Sequence, residues 1–328
     1  MFAFDYSRPR DIDAAVAAVA QGDAKFIGGG TNLLDLMKSG VARPACLIDV
    51  NHLGLDRIES LHDGGLRIGA GARNSDVANH ELVRTNYPLL SRALLAGASP
   101  QLRNMATVGG NLLQRTRCDY FVDPGFRHCN KRNPGSGCAA RDGLNRLHAV
   151  LGASARCVAV NPSDMNVALV ALAARINVRG RGGERTIPIE QFHRLPGDQP
   201  ERDTTLAADE LIVSVDLPAP SFARSFDYLK VRERASFAFA LVAVAVGLEI
   251  ADGTIRSGRI ALGGVAHKPW LAEKASQALA GAAVAALDRK AIAALALEGA
   301  QPLAQNAYKI PLAKNAVERA LGRALEPA

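Results

Sequence analysis

The sequence is short of several things, and each shortage rules something out. It has no run approaching the ~18 consecutive apolar residues of a membrane-spanning helix. Its longest apolar stretch, Phe237 to Leu248, is built of alanine, valine and glycine as much as of bulkier residues and reads as a buried strand. The N-terminal stretch MFAFDYSRPRDIDAAVAAVA has no basic region ahead of an apolar segment, and acidic residues interrupt it. It does not read as a secretory signal, so the sequence taken alone implies the cytoplasm. Aromatics make up only 5% of the 328 residues. The formal net charge of +7 therefore comes without a stripe of interleaved aromatic and basic side chains, which argues against nucleic acid and for a soluble surface that docks on acidic partners. There is no Ser-His-Asp arrangement, no histidine cluster of metal-ligand type and no paired carboxylates sharing an environment. Acid–base or nucleophilic chemistry on a substrate is thus not expected of this chain.

What is present is glycine in particular places. AKFIGGGTNLLDLMK, Ala24 to Lys38, reads as a strand, a tight turn and the start of a helix. Successive glycines let backbone approach a ligand closely, and the free N–H groups of such a turn suit a phosphate or pyrophosphate. It is not a dinucleotide fingerprint, since Leu33 stands where a third spaced glycine is needed, nor a P-loop, which needs Gly-Lys-Ser/Thr. ATVGGNLLQ, Ala106 to Gln114, repeats the chemistry. Two such turns suggest two backbone walls facing one extended diphosphate ligand. In NPSDM, Asn161 to Met165, Ser163 or Asp164 is placed to cap a long alanine-rich helix.

The element pattern gives three units. Residues 1–55 read as a small α/β unit, with strands at Phe2–Tyr6 and Cys46–Val50 and a helix at Asp11–Ala20. Residues 56–220 form a second unit: a strand at Leu66–Gly69, a helix capped by Asn74 or Ser75, helices at Tyr87–Ala96 and Asp164–Arg175, and a strand at Glu210–Leu217. After the linker Pro218–Ser221, residues 221–328 read as an antiparallel meander over Ser225–Val231, Phe239–Ile250 and Thr254–Leu262. Asp252-Gly253 makes its hairpin turn, and three helices follow from Trp270 onward. The fold class is α+β.

Between the second glycine turn and Asp164 lies an insertion, 115–157, that holds four of the five cysteines: Cys118, Cys129, Cys138 and Cys157. Its many prolines and glycines predict irregular loop, and a loop of this length needs something to hold it. Disulfides would do so in an oxidising compartment. Structural zinc is weakened by the absence of the short paired C-x2–4-C spacing. An iron–sulfur cluster takes four thiolates and tolerates varied spacing, and Arg115, Arg117, Arg127, Lys131, Arg132 and Arg141 would offset its negative charge. Cys46, in an apolar run, reads as a buried structural thiol, and His128 as a solvent-facing or hydrogen-bonding histidine.

The two glycine turns, NPSDM and the later GGVAHKPW together resemble the FAD-binding subunits of the molybdenum hydroxylases, the xanthine dehydrogenase and aldehyde oxidoreductase family. The likeness covers essentially the whole chain and is nearest to the FAD subunit of bacterial periplasmic aldehyde oxidoreductases. It implies a two-part FAD-binding domain of the PCMH (vanillyl-alcohol-oxidase-like) type, followed by a C-terminal antiparallel sheet backed by helices. It implies that Phe26, Ile27, Gly28, Gly29, Gly30, Thr31, Asn32 and Leu33 wrap the pyrophosphate, with Thr107, Gly109, Gly110 and Asn111 as the second wall. Asp164 would take the ribityl or ribose hydroxyls, Ile212 would lie near the isoalloxazine, and Lys230 would reach the flavin, where a cation favours the reduced anionic form. It also implies a [4Fe-4S] cluster on the four loop cysteines, which some members of this family carry. Substrate oxidation would then occur at a molybdenum-pterin cofactor in a large partner subunit of a heterotrimer. Electrons would pass through [2Fe-2S] clusters of a small subunit to this FAD and on to an external acceptor, expected not to be NAD. The location so implied is the periplasm, reached folded with a signal-bearing partner. A self-sufficient flavin oxidase or reductase on the same fold is the alternative.

Overall fold

The computed structural model describes residues 1–326 and contains three sheets that follow one another along the chain. Strands β1 (Asp5–Ser7), β2 (Ala24–Ile27) and β3 (Cys46–Asp49) form a small parallel sheet in the order β1-β3-β2. Its helix, Ile12–Val19, is capped by Asp11, whose carboxylate accepts from the Ala14 N–H at 2.8 Å. Ala15 and Val19 of that helix bury against Ile48 of the central strand.

The second sheet is antiparallel and five-stranded: β4 (Ile58–Ser60), β5 (Leu66–Gly69), β6 (Arg175–Gly180), β7 (Gly183–Pro188) and β8 (Leu211–Leu217), in the order β4-β5-β8-β6-β7. The third contains β9 (Ser225–Val231), β10 (Val242–Ala251), β11 (Thr254–Gly263) and β12 (Trp270–Leu271), antiparallel in the order β12-β11-β10-β9. The hairpin turn between β10 and β11 is Asp252-Gly253, both at positive φ (52° and 70°), as a type I′ turn demands. Helices Glu273–Leu279, Arg289–Ala296 and Lys309–Leu325 back this sheet.

Strand β10 explains how the layers join. Val242, Val244, Val246 and Leu248 face the helices of the C-terminal core. The alternate positions Ala243 and Ala245 belong to the other core, with the five-stranded sheet. Small residues on that face let the helix Asp164–Ala171 lie close against it, and a Cβ on Gly263 would fall 2.6 Å from Val167. All eight residues of this helix are buried. A helix apolar all round needs cover on every side, and here sheets and helices supply it. Its N-terminus, with Ser163 and Asp164, is thereby fixed in the middle of the molecule.

Four expectations change. The helix expected over Asp164–Arg175 ends at Ala171; Ala173 turns the chain at φ 52°, and Arg175 opens β6, whose Ile176 and Val178 bury on alternate positions. A longer helix would have carried Arg175 into the core. Asn74 and Ser75 are not caps but the first residues of the helix Asn74–Asn79, which has no side-chain cap. Trp270 lies in β12 rather than in a helix. The second glycine turn is a one-turn helix, Val108–Leu112, capped by the Thr107 hydroxyl, which accepts from the Gly110 N–H at 3.1 Å. Among the described residues no helix is long and apolar enough to cross a membrane.

Candidate functional site

The two glycine segments meet backbone to backbone. A Cβ on Gly29 would fall 1.7 Å from the Met105 carbonyl oxygen, and one on Gly28 would lie 2.9 Å from Thr107 Oγ1. Only glycine allows that approach. Gly30, at φ 70°, then turns the chain into the helix Leu33–Lys38. Gly109 packs less tightly against Ala70, where a Cβ would lie 3.2 Å from the alanine methyl, and its N–H donates to the Ala70 carbonyl at 2.8 Å.

Side chains unmarked by any sequence motif hold the two walls in register. Asn51 donates to the Gly28 carbonyl at 3.1 Å and accepts from Arg73 at 3.0 Å, while Arg73 also donates to the Met105 carbonyl at 2.5 Å. Asn32 Oδ1 accepts from the Arg115 N–H at 3.0 Å, which ties the first wall to the start of the cysteine loop. Asn111 Oδ1 accepts from Ser163 Oγ at 2.8 Å, tying the second wall to the buried helix. Ser163, not Asp164, caps that helix, accepting from the Asn166 N–H at 3.0 Å.

These segments enclose a cavity of about 740 Å³, within the range of small-molecule and cofactor sites. Of the residues expected to hold a flavin, Gly29, Gly30, Thr31, Asn32, Gly110, Asn111 and Asp164 line it. Phe26, Ile27, Gly28, Leu33, Thr107 and Gly109 lie in the same segments but not on the lining. Ile212 sits inside β8, paired with Val178 and 3% exposed in the main core, and is not on the lining either. Lys230 is also off the lining. Its ammonium donates to Asp164 Oδ2 at 2.7 Å and to the Ala96 carbonyl at 3.1 Å, and Tyr228 donates to Asp164 Oδ1 at 2.6 Å. A buried ammonium takes the nearest carboxylate, so Lys230 acts on the cavity through Asp164. Burial first, then the Asp164 charge and hydrogen bond, raises the Tyr228 phenol well above its ordinary range. It is a permanent donor.

The cavity fits an elongated polar ligand. Asn32 Nδ2 and Asn74 Oδ1 are buried on its lining, one donor and one acceptor, with no protein partner. Buried polar atoms left open in a lined cavity are what a ligand's own polar groups complete.

Cys118 and His148 lie on the lining of the same cavity. The cysteine loop is irregular apart from the one-turn helix Asp119–Val122. Cys129 and Cys138 face each other across an isolated antiparallel bridge. Cys118 feels the charges of Cys129 and Cys157, and Cys157 those of Cys138 and Cys129. Burial pushes the Cys118 thiol up to about 12, against the opposing pull of the Phe121 and Tyr120 N–H groups. It pushes Cys157 up to about 11, against the opposing charge of Lys131. Uncompensated thiolates are therefore disfavoured, and a positively charged metal centre would relieve them. None of the cysteines forms a disulfide. Among the described residues no group of three or more His, Cys, Asp or Glu is gathered tightly enough for a single metal ion. Cys46 packs in the small N-terminal core, and His128, exposed, bonds the Ser136 carbonyl at 2.7 Å.

The basic residues of the loop have specific partners. Arg115 and Lys131 bond Asp203 at 2.7 and 2.5 Å, and Lys131 also bonds His267 Nε2 at 2.8 Å. Although burial would raise the Asp203 carboxyl, the Lys131 and Arg115 charges hold it down at about 2. Burial first, and then Lys131, lowers His267 to about 4, so it is neutral and accepts from the lysine. This network fastens the loop to the segment around Asp203 and to the GGVAHKPW segment. Arg117 pairs with Asp35 at 3.2 Å.

The fold, the paired glycine walls and the cavity define a flavin-binding protein of one class. Residues 2–220 match the FAD binding domain in molybdopterin dehydrogenase, and residues 227–324 match the CO dehydrogenase flavoprotein C-terminal domain. The chain belongs to the FAD-binding subunits of the molybdenum hydroxylase family. It is 52% identical, over 326 residues and 99% of each chain, to the aldehyde oxidoreductase FAD-binding subunit PaoB of Escherichia coli. Over 335 residues and 98% of each chain it is 27% identical to the carbon monoxide dehydrogenase medium chain of Afipia carboxidovorans. A solved chain of carbon monoxide dehydrogenase from Hydrogenophaga pseudoflava has the same fold, with a TM-score of 0.76 at 28% identity, covering 98% of this chain and 96% of that one.

Proposed function

We propose that this chain is the FAD-carrying electron-transfer subunit of a molybdenum-dependent aldehyde oxidoreductase, and that its cysteine loop holds a [4Fe-4S] cluster. The carrying observation is one cavity lined both by the glycine walls and by Cys118. FAD, when bound, supplies two-electron acceptance and stepwise release. The chain's part is to bind and orient it. The N–H groups of Gly29 to Asn32 would bond the diphosphate, with Gly110 and Asn111 as the opposing part of the lining; the N–H groups of Val108, Gly109 and Gly110 are already bonded to Ala72, Ala70 and Thr107. Asn32 Nδ2 and Asn74 Oδ1 meet polar groups, and Asp164, held by Tyr228 and Lys230, accepts from hydroxyls.

For the cluster, the support is four free thiols, Cys129 and Cys157 buried and Cys118 and Cys138 half-buried, in one loop with little apolar content, fastened from outside by the Lys131–Asp203–Arg115 network. The aldehyde substrate is supported by the similarity to an aldehyde oxidoreductase subunit along the whole chain. On this reading a large subunit carries the molybdenum-pterin cofactor, a small one the [2Fe-2S] clusters, and the reduced flavin passes electrons to an external acceptor other than NAD. The proposed location is the periplasm, reached folded with a partner that carries the export signal; recovery of the complex in the cytosolic fraction would remove that part.

The test is the flavin, iron and acid-labile sulfide content of the purified complex, with a spectrum before and after aldehyde. One FAD per chain, iron and sulfide in the proportions of one extra [4Fe-4S] cluster, and bleaching of the flavin by aldehyde are expected. Flavin without the additional iron returns the four cysteines to zinc or disulfides. Absence of both cofactors overturns the reading.

A further inference from the structure

One buried histidine is used by nothing described so far. His148 is 5% exposed, and its Nε2 lies 3.1 Å from Cys118 Sγ. Its other nitrogen, Nδ1, is buried without a partner. A thiolate bound to iron can only accept hydrogen bonds. The imidazole proton therefore belongs on Nε2, directed at the sulfur.

The main chain that carries the ring is held by residues far away in sequence. Lys309, fully buried, donates to the carbonyls of Leu147 at 3.2 Å and His148 at 3.0 Å, and also to that of Gly264. Asn306, also fully buried, donates to the carbonyls of His148 at 3.1 Å and Ala149 at 3.2 Å. Asn145 and Gln305 bond each other reciprocally, main chain to side chain, at 3.1 and 3.0 Å. Residues 145–149 belong to no strand or helix, so these donors take the place of a ladder and fix where His148 points.

We propose that His148 donates its Nε2–H to the Cys118 sulfur and thereby sets the reduction potential of a cluster ligated there, with Asn306 and Lys309 as the positioning residues that hold the imidazole in place. The inference rests on the cluster reading above. Hydrogen bonds to ligand sulfurs stabilise the more negative, reduced cluster and raise its potential. Among the four cysteines, Cys118 alone lines the cavity shared with the glycine walls, so the tuned ligand is the one facing the flavin site.

The experiment uses the assembled complex and redox titrations monitored by electron paramagnetic resonance. His148→Phe removes the donor and keeps the bulk, while His148→Gln keeps a donor. The expected result is unchanged iron and sulfide in both, a cluster midpoint shifted to lower potential in His148→Phe, and recovery toward wild type in His148→Gln. Lys309→Met should shift it in the same direction by less, with the histidine still present. An iron-replete His148→Phe whose midpoint is that of wild type overturns the assignment and leaves the cluster reading standing. A wild type without the extra iron overturns both. Should His148→Phe fail to assemble its cluster, wild-type complex carrying ¹⁵N-histidine decides: a nitrogen hyperfine coupling at the reduced cluster supports the assignment, and its absence overturns it.

Discussion

The glycine walls and the cysteine loop both line one cavity, yet they are built by opposite means. The walls are backbone: Gly29 brings main chains closer than any side chain permits, and Asn51 and Arg73 clamp the two segments in register. The loop has almost no regular backbone and is held by side chains from elsewhere, Asp203 and His267 on one flank and Asn306 and Lys309 on the other. A backbone site is compact in sequence and tolerates no added atom. A side-chain site is scattered and fails by losing a partner.

That contrast is open to direct attack. Cys129→Ser should abolish the loop's iron while most of the flavin stays, because the walls do not depend on it; metal and flavin analysis of the same sample would check this. Gly29→Ala should do the reverse. Its methyl would collide with the Met105 backbone, beyond the ~1–3 kcal/mol of ordinary overpacking, so flavin content should fall at least about tenfold with iron retained. If either change removed both cofactors, the two sites would be one cooperative unit.

Lys230→Met leaves the Asp164 carboxylate buried with only Tyr228, and breaking such a pair typically costs about 3–5 kcal/mol; denaturant unfolding of the flavin-loaded protein would read it. A fourth prediction concerns pH. Burial holds His193 down to about 4, with the Leu112 carbonyl pulling the other way. The unfolded chain then binds its proton at a higher pH than the folded one. Stability should be complete above pH ~6.5 and fall progressively down to pH ~4, by up to ~3 kcal/mol from this group. His193→Gln should flatten that part of the profile. The smallest effect belongs to Thr107→Val, which removes the cap from the one-turn helix at about 1 kcal/mol and should weaken FAD retention without touching the iron.

The two sites were unequally legible. The glycine walls could be read because the constraint is local. Gly-Gly followed by Asn-Leu-Leu prescribes close backbone and a helix start whatever surrounds it, although the second copy is a short helix rather than a turn. The antiparallel meander with its Asp252-Gly253 hairpin was legible for the same reason. Asn51 and Arg73, which clamp the walls together, carry no motif and could not be found. Nor could Tyr228, which gives Asp164 its second bond. The early end of the helix at Ala171 was hidden too, since Ala173 at positive φ is required by the sheet it feeds and not by its own chemistry.

The cysteine loop shows the limit most clearly. Its four thiols and its need for an external fastening followed from composition, but basic residues that suggested a general counter-charge are bonded to particular groups, Arg115 and Lys131 to Asp203, Arg117 to Asp35, and Arg132 and Arg141 to main-chain carbonyls. His148 looked no different from His128 in sequence; one lies against a cysteine sulfur and the other on the surface. The sequence by itself determined the α+β class, the two glycine walls and the presence of a cysteine-bearing insertion, because dihedral preference and side-chain chemistry act over a few residues. Only the tertiary structure decided which groups distant in sequence meet within about 3 Å: Lys230 with Asp164, Lys131 with Asp203, and His148 with Cys118. Burial makes each of those pairings strong, and burial is a property of the packed whole.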